Sequence, residues 1–125
     1  MNASPGCVFA AAPPASIGGI IAPGLAAMTN YLHEKTALLP KIEIRDIATA
    51  IGKSTEQAML VGAVHGYRGL VRELIAELKR ELHARKLPVV ATGGYARLIG
   101  HTLILRHGLV YRMGDLGLPA FLRWF

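Results

Sequence analysis

The chain has 125 residues, 52% of them hydrophobic and 18% charged, with 14 Lys and Arg against 8 Asp and Glu for a net charge of +6; that is enough for one small core and excludes two. Met1 to His33 carries no Lys, Arg, Asp or Glu, but Pro5, Pro13, Pro14 and Pro23 interrupt it, which excludes the basic start and unbroken apolar stretch of a signal peptide and the run of about 20 apolar residues of a spanning helix. A lone Cys7 excludes an internal disulfide and fits a reducing cytoplasm.

Residues 1–16, "MNASPGCVFAAAPPAS", hold a short apolar run, "CVFAAA", that reads either as a strand or as a loose leader. In "IGGIIAPG", Ile17, Ile20 and Ile21 surround a glycine pair, the pattern of a strand that another backbone or a ligand can approach closely. Pro23 then sets up a helix from about Gly24 to Lys35, whose Leu25, Met28 and Leu32 recur at spacings of three and four and are expected to face inward. "LLPKIEI" predicts an extended segment with Ile42 and Ile44 on one side and Glu43 on the other.

The central helix carries the clearest local pattern. Ser54 followed by Gln57 three residues later is a capping box, so the helix starts near Thr55 and "IGKS" is the turn that delivers it. Leu60, Val64, Tyr67, Val71, Leu74, Leu78 and Leu82 form a seam over about six turns and must be buried. Ala58, Gly62, Gly66 and Gly69 make a second, small-residue face, and each glycine costs about 1 kcal/mol of helix propensity relative to alanine. Close approach of a helix or of a partner subunit would offset that cost; a helix bending over the core is the alternative. Further on, Glu81 and Arg85 are placed for an i, i+4 pair.

The basic residues are spread from Lys35 to Arg123 and interleaved with Glu73, Glu77 and Glu81, a solvated mixed face that argues against a nucleic-acid partner. None of His33, His65, His83, His101 and His107 shares a helix face with a second ligand-type side chain, so no metal ligands are assigned. After Pro88, "VVATGGYARLIG" reads as a short buried strand, a glycine turn and a helix start. Gly93 and Gly94 could admit a nucleotide there, or could serve packing alone. The tail 101–125 supports one short strand, around "LVYRM".

Taken in order, "GGIIAPGL", "TALLPKIEI", "IGKSTEQAML.GAVHGYRGL" and "VVATGG" resemble the carboxy-terminal half of type III pantothenate kinases over residues 17 to about 100. The resemblance implies an α/β fold of the ribonuclease H-like, actin-like ATPase (ASKHA) class, here as a single partial domain, 1–125, with a partial sheet and a long central helix, an atypical leader (1–16) and an atypical tail (101–125). It also implies a cytoplasmic homodimer that phosphorylates pantothenate with ATP in coenzyme A synthesis, using Mg²⁺ and a monovalent cation, K⁺ or NH₄⁺. By motif, the threonine of "IGK.T" that touches pantothenate is Thr55, and the glycines on the adenosine side are Gly93 and Gly94. The alternative for Thr55 is a helix-starting residue with no ligand.

The family's amino-terminal "D.GNT" loop, its "G.DR" segment with the catalytic aspartate, and its "D.GTA.T" loop do not occur here, and Asp46 and Asp115 are the only aspartates. No catalytic residue is therefore assigned. A fragment, a split enzyme completed by another chain, and a degenerate homologue are three explanations of this pattern. The competing function is a non-catalytic regulatory, accessory or dimerisation protein like the Bvg accessory factors of the same family.

Overall fold

The computed structural model describes residues 6–12, 15–85, 89–91, 95–100 and 110–112, with side chains described at 19–85, 89 and 95–100. Its elements in chain order are β1 (Gly6–Ala12), β2 (Ala15–Ala22), α1 (Leu25–Lys35), α2 (Thr55–Glu81), β3 (Val89–Ala91) and β4 (Val110–Arg112), an α/β arrangement. Residues 96–100 add a short helical segment, begun by the Ile99 N–H donating to the Tyr95 carbonyl at 3.0 Å.

"CVFAAA" is a strand. β1 pairs antiparallel with β2, Phe9 opposite Gly19 and Ala10 opposite Gly18, and the register then breaks so that Ala11 faces Ser16. Ile17 is the extra residue, a β-bulge that bends the ladder beside the glycine pair. β3 and β4 pair in parallel, from Val89 with Val110 to Ala91 with Arg112. The "LVYRM" strand is thus present, and among the described residues the strands form two separate two-stranded sheets.

α1 begins after Gly24 and ends at Thr36, whose hydroxyl donates to the Leu32 carbonyl at 2.6 Å and accepts from the Leu39 N–H at 3.3 Å. Its buried line differs from the expected one. Leu25 is 1% exposed and Met28 packs on the core, but the next residue on that side is Thr29, while Leu32 is 39% exposed. Thr29 can be buried because its hydroxyl lies within hydrogen-bond reach of two carbonyls of its own helix, Leu25 at 3.2 Å and Ala26 at 3.0 Å.

α2 is 27 residues long, about 40 Å at 1.5 Å per residue, and is the spine of the molecule. The first half of its expected seam is buried, with Leu60, Val64, Tyr67 and Val71 at most 1% exposed, but beyond Val71 the buried position is Ile75, at 0%, while Leu74, Leu78 and Leu82 are only half-buried. One cluster gathers Leu25, Ala63, Tyr67, Val71, Ile75, Val89 and Ile99. A second holds Ile47, Leu60 and Val64. Ile44 and Leu98 pack against both, so the two clusters act as one core.

Residues 39–49 form no ladder, although Ile42 and Ile44 turn toward the core while Lys41, Glu43 and Arg45 stay exposed, the alternation the sequence predicts. α2 stops at Glu81, where the chain leaves the helical path at His83 (φ 49°). Arg85 therefore lies past the last helical turn, and the expected pairing with Glu81 is replaced, among the described ion pairs, by Arg80 with Glu77. No described helix is long and apolar enough to cross a membrane.

Candidate functional site

The segment between Asp46 and Ser54 runs back alongside the first half of α2 and is fastened to it at successive points. At its far end the Asp46 carboxylate accepts from the Ile47 N–H at 2.8 Å and from Arg68 Nη2 at 3.2 Å. Ile47 is buried next to Leu60 and Val64. Three residues before Arg68 on the helix, His65 Nε2 lies 3.1 Å from the Thr49 carbonyl; a carbonyl only accepts, so that ring nitrogen carries the proton. The Thr49 hydroxyl closes a small turn with Ile51.

Gly52 then lies so close to the start of α2 that a Cβ on it would stand 2.3 Å from the Ala58 nitrogen and 2.5 Å from the Ala58 Cα. Half of the expected capping box is present, the Gln57 N–H donating to Ser54 Oγ at 3.2 Å, while the return bond falls one residue earlier than expected, Gln57 Oε1 accepting from the Lys53 N–H at 3.0 Å. The product is Thr55, exposed, as the first helical residue. Glu56, the one acidic residue of that first turn, has Arg45 Nη2 at 3.4 Å, with both side chains more than half exposed.

Helix N–H groups at this end have no helical partner, and the Ser54 side chain occupies that of Gln57. The amides around Thr55 thus point outward at the positive end of a long helix, an environment that favours a carboxylate.

A cleft of about 530 Å³ opens beside this segment, lined by Ile44, Arg45, Asp46, Arg68, Tyr95, Arg97 and Leu98. Three arginines against one aspartate make it cationic. Tyr95, which lines the cleft, follows Gly94 directly in the sequence. Gly93 and Gly94 themselves lie outside the described residues, as do His101, His107 and Asp115. Among the described residues no three His, Cys, Asp or Glu side chains converge as a metal site.

Sequence patterns assign no role in this site to Arg68, Asp46, His65 or Gly52. Arg68 carries one readable sign: it interrupts "GYRGL" with no carboxylate three or four residues before it on the helix, so an acidic partner from another segment is the natural complement.

Comparison with known proteins places the chain in a family. The family model for type III pantothenate kinase matches residues 11–77, more than half of the chain. The type III pantothenate kinase of Methylacidiphilum infernorum is 61% identical over 83 residues, covering 66% of this chain and 31% of its own. That of Akkermansia muciniphila is 57% identical over 83 residues (66% and 34%), and that of Listeria monocytogenes 43% over 82 residues (66% and 31%). The chain therefore spans about a third of the length of the relatives it matches. Each of these relatives is named as a kinase, not as an accessory or structural protein. With the family model spanning more than half of it, the chain belongs to the type III pantothenate kinase family.

Proposed function

We propose that this chain supplies the carboxy-terminal part of an ATP-dependent pantothenate kinase site of the ASKHA class, acting in the cytoplasm in coenzyme A biosynthesis. Thr55 and the outward amides of the first turn of α2 receive pantothenate, a substrate that carries a carboxylate. Gly93 and Gly94 bring the backbone close to adenosine, and the cationic cleft beyond Tyr95 balances charge on the nucleotide. The observation that carries this reading is the fastened segment 46–54, which holds an exposed threonine and free helix amides in one position.

Phosphoryl transfer also needs the phosphates and metal held and the accepting hydroxyl deprotonated. Among the described residues no three His, Cys, Asp or Glu side chains converge, so Mg²⁺ would be held with ATP and by groups outside these residues. Of the chain's own groups, Thr55 orients substrate, and Asp46 is engaged by Arg68 and assigned no role as base.

The chain alone is expected to give no ATP-dependent phosphorylation of pantothenate. Mixed with the amino-terminal part of the Methylacidiphilum infernorum kinase, it should restore turnover, and Thr55→Val should weaken pantothenate binding in calorimetry by about tenfold while leaving ATP binding unchanged, the effect of losing one good hydrogen bond. Equal pantothenate binding by wild type and Thr55→Val would overturn the role of Thr55. Failure of the mixture to turn over would count against a completed kinase site.

The exposed Gly62 and Gly66 face of α2 is the proposed contact with a second copy. A Cβ built on either glycine meets nothing within 4 Å, so no described part of this chain offsets their helix-propensity cost.

A further inference from the structure

Arg68 lies midway along α2 and is 9% exposed. Its Nε and Nη2 donate to the Leu98 carbonyl at 3.1 and 2.7 Å, and Nη2 also donates to Asp46 Oδ1 at 3.2 Å. Leu98 belongs to the helical segment 96–100, which follows Gly93 and Gly94 in the sequence, whereas Asp46 begins the segment that ends at Thr55. These segments are far apart in sequence, by 30 residues from Arg68 to Leu98 and by 22 from Arg68 to Asp46.

Taking an arginine out of water is costly, and a buried ion pair adds little that a packed apolar side chain of the same volume would not. A planar guanidinium can do what an apolar group cannot: hold a carbonyl on one segment and a carboxylate on another at fixed relative positions. The Ile47 N–H donates to the same carboxylate oxygen, Oδ1, at 2.8 Å, so Asp46 is tied to its own segment as well as to Arg68.

We propose that Arg68 is a positioning residue that couples the two ligand sides of the site, so that ordering the segment after the glycine turn also orders the segment carrying Thr55. This rests on the reading of those segments as the nucleotide and pantothenate sides. Asp46 is the releasable end of the link, its side chain being 68% exposed; removing it leaves the bonds from Arg68 to Leu98 in place.

Amide hydrogen exchange of the purified chain, with and without ATP and Mg²⁺, tests the coupling. Without ligand, Arg68→Met should speed exchange by about tenfold in both 49–54 and 96–100, as expected for the loss of charge-assisted hydrogen bonds. Asp46→Ala should speed only 49–54. With ATP, wild type should gain protection in both segments; Asp46→Ala should keep protection at 96–100 and lose it at 49–54. Arg68→Lys should fold like wild type yet fail to restore the transmitted protection, because a single ammonium on a flexible stem does not hold two partners in register.

ATP protection that reaches 49–54 undiminished in Asp46→Ala would overturn the coupling, and so would protection confined to 96–100 in wild type. If ATP protects neither segment, the nucleotide reading fails and the ligand-free comparison still decides. Acceleration of only one segment in Arg68→Met would then reject Arg68 as a link.

Discussion

Gly52 is the residue where local geometry is least forgiving. Its φ is not in the left-handed range, so what demands glycine is space alone: the backbone of Gln57 and Ala58 occupies the position of a Cβ. Gly52→Ala is expected to destabilise the fold by about 1–3 kcal/mol, the usual cost of overpacking, read as a lower denaturant midpoint. Pantothenate affinity should fall with it, because relief requires the Thr55 turn to lift from the helix. The capping box is legible in the sequence because Ser54 and Gln57 carry it in their side chains. The demand at Gly52 is not, since it comes from another stretch of backbone, and no residue type announces that. His65 and Arg68 are hidden for a related reason, as each meets its partner outside the helix.

Among the elements, α2 is the most readable, and its two ends show where reading succeeds and fails. The start follows from one motif. The finish uses a Schellman arrangement in which the His83 N–H donates to the Arg80 carbonyl at 3.3 Å and the Ala84 N–H to the Lys79 carbonyl at 2.9 Å. Glycine usually fills the left-handed position, and here it is His83. Periodicity alone therefore extends the helix through Leu82 toward Arg85, past its true end. His83→Gly should stabilise the chain by up to about 1 kcal/mol, because a Cβ is disfavoured at that φ, offset in part by glycine's greater freedom when unfolded; a rise in thermal midpoint checks it. The inward face of α1 departs from expectation at Leu32 because a buried threonine satisfied by its own helix looks polar in a pattern of apolar spacings.

At the scale of the whole molecule, α2 divides its surroundings. One side is packed from Leu60 to Ile75, while the opposite side around Gly62 and Gly66 is open. Two substitutions separate the possible meanings of that open side. Gly66→Ala should raise stability by up to about 1 kcal/mol through helix propensity, since nothing described stands in its way. Gly66→Leu should keep the fold but abolish self-association in sedimentation velocity if a second copy docks there; unchanged association would reject the face as the contact. Pairing of β1 with β2 and of β3 with β4 is beyond the sequence because register is fixed across segments, and "CVFAAA" has no alternation to declare which face is buried.

The segment that carries Thr55 has a further consequence for how such a protein can diverge. In a β-ladder, an inserted residue that no bulge absorbs turns every later side chain to the wrong face. Residues 46–54 hang instead from discrete side-chain clasps at Asp46, Thr49 and the capping box. A length change between two clasps bows the intervening chain outward and leaves both anchor points where they were. Descendants of this sequence can therefore alter the stretch between Thr49 and Gly52 in length as well as composition, and so reshape what lies beside the substrate without disturbing the helix beneath it.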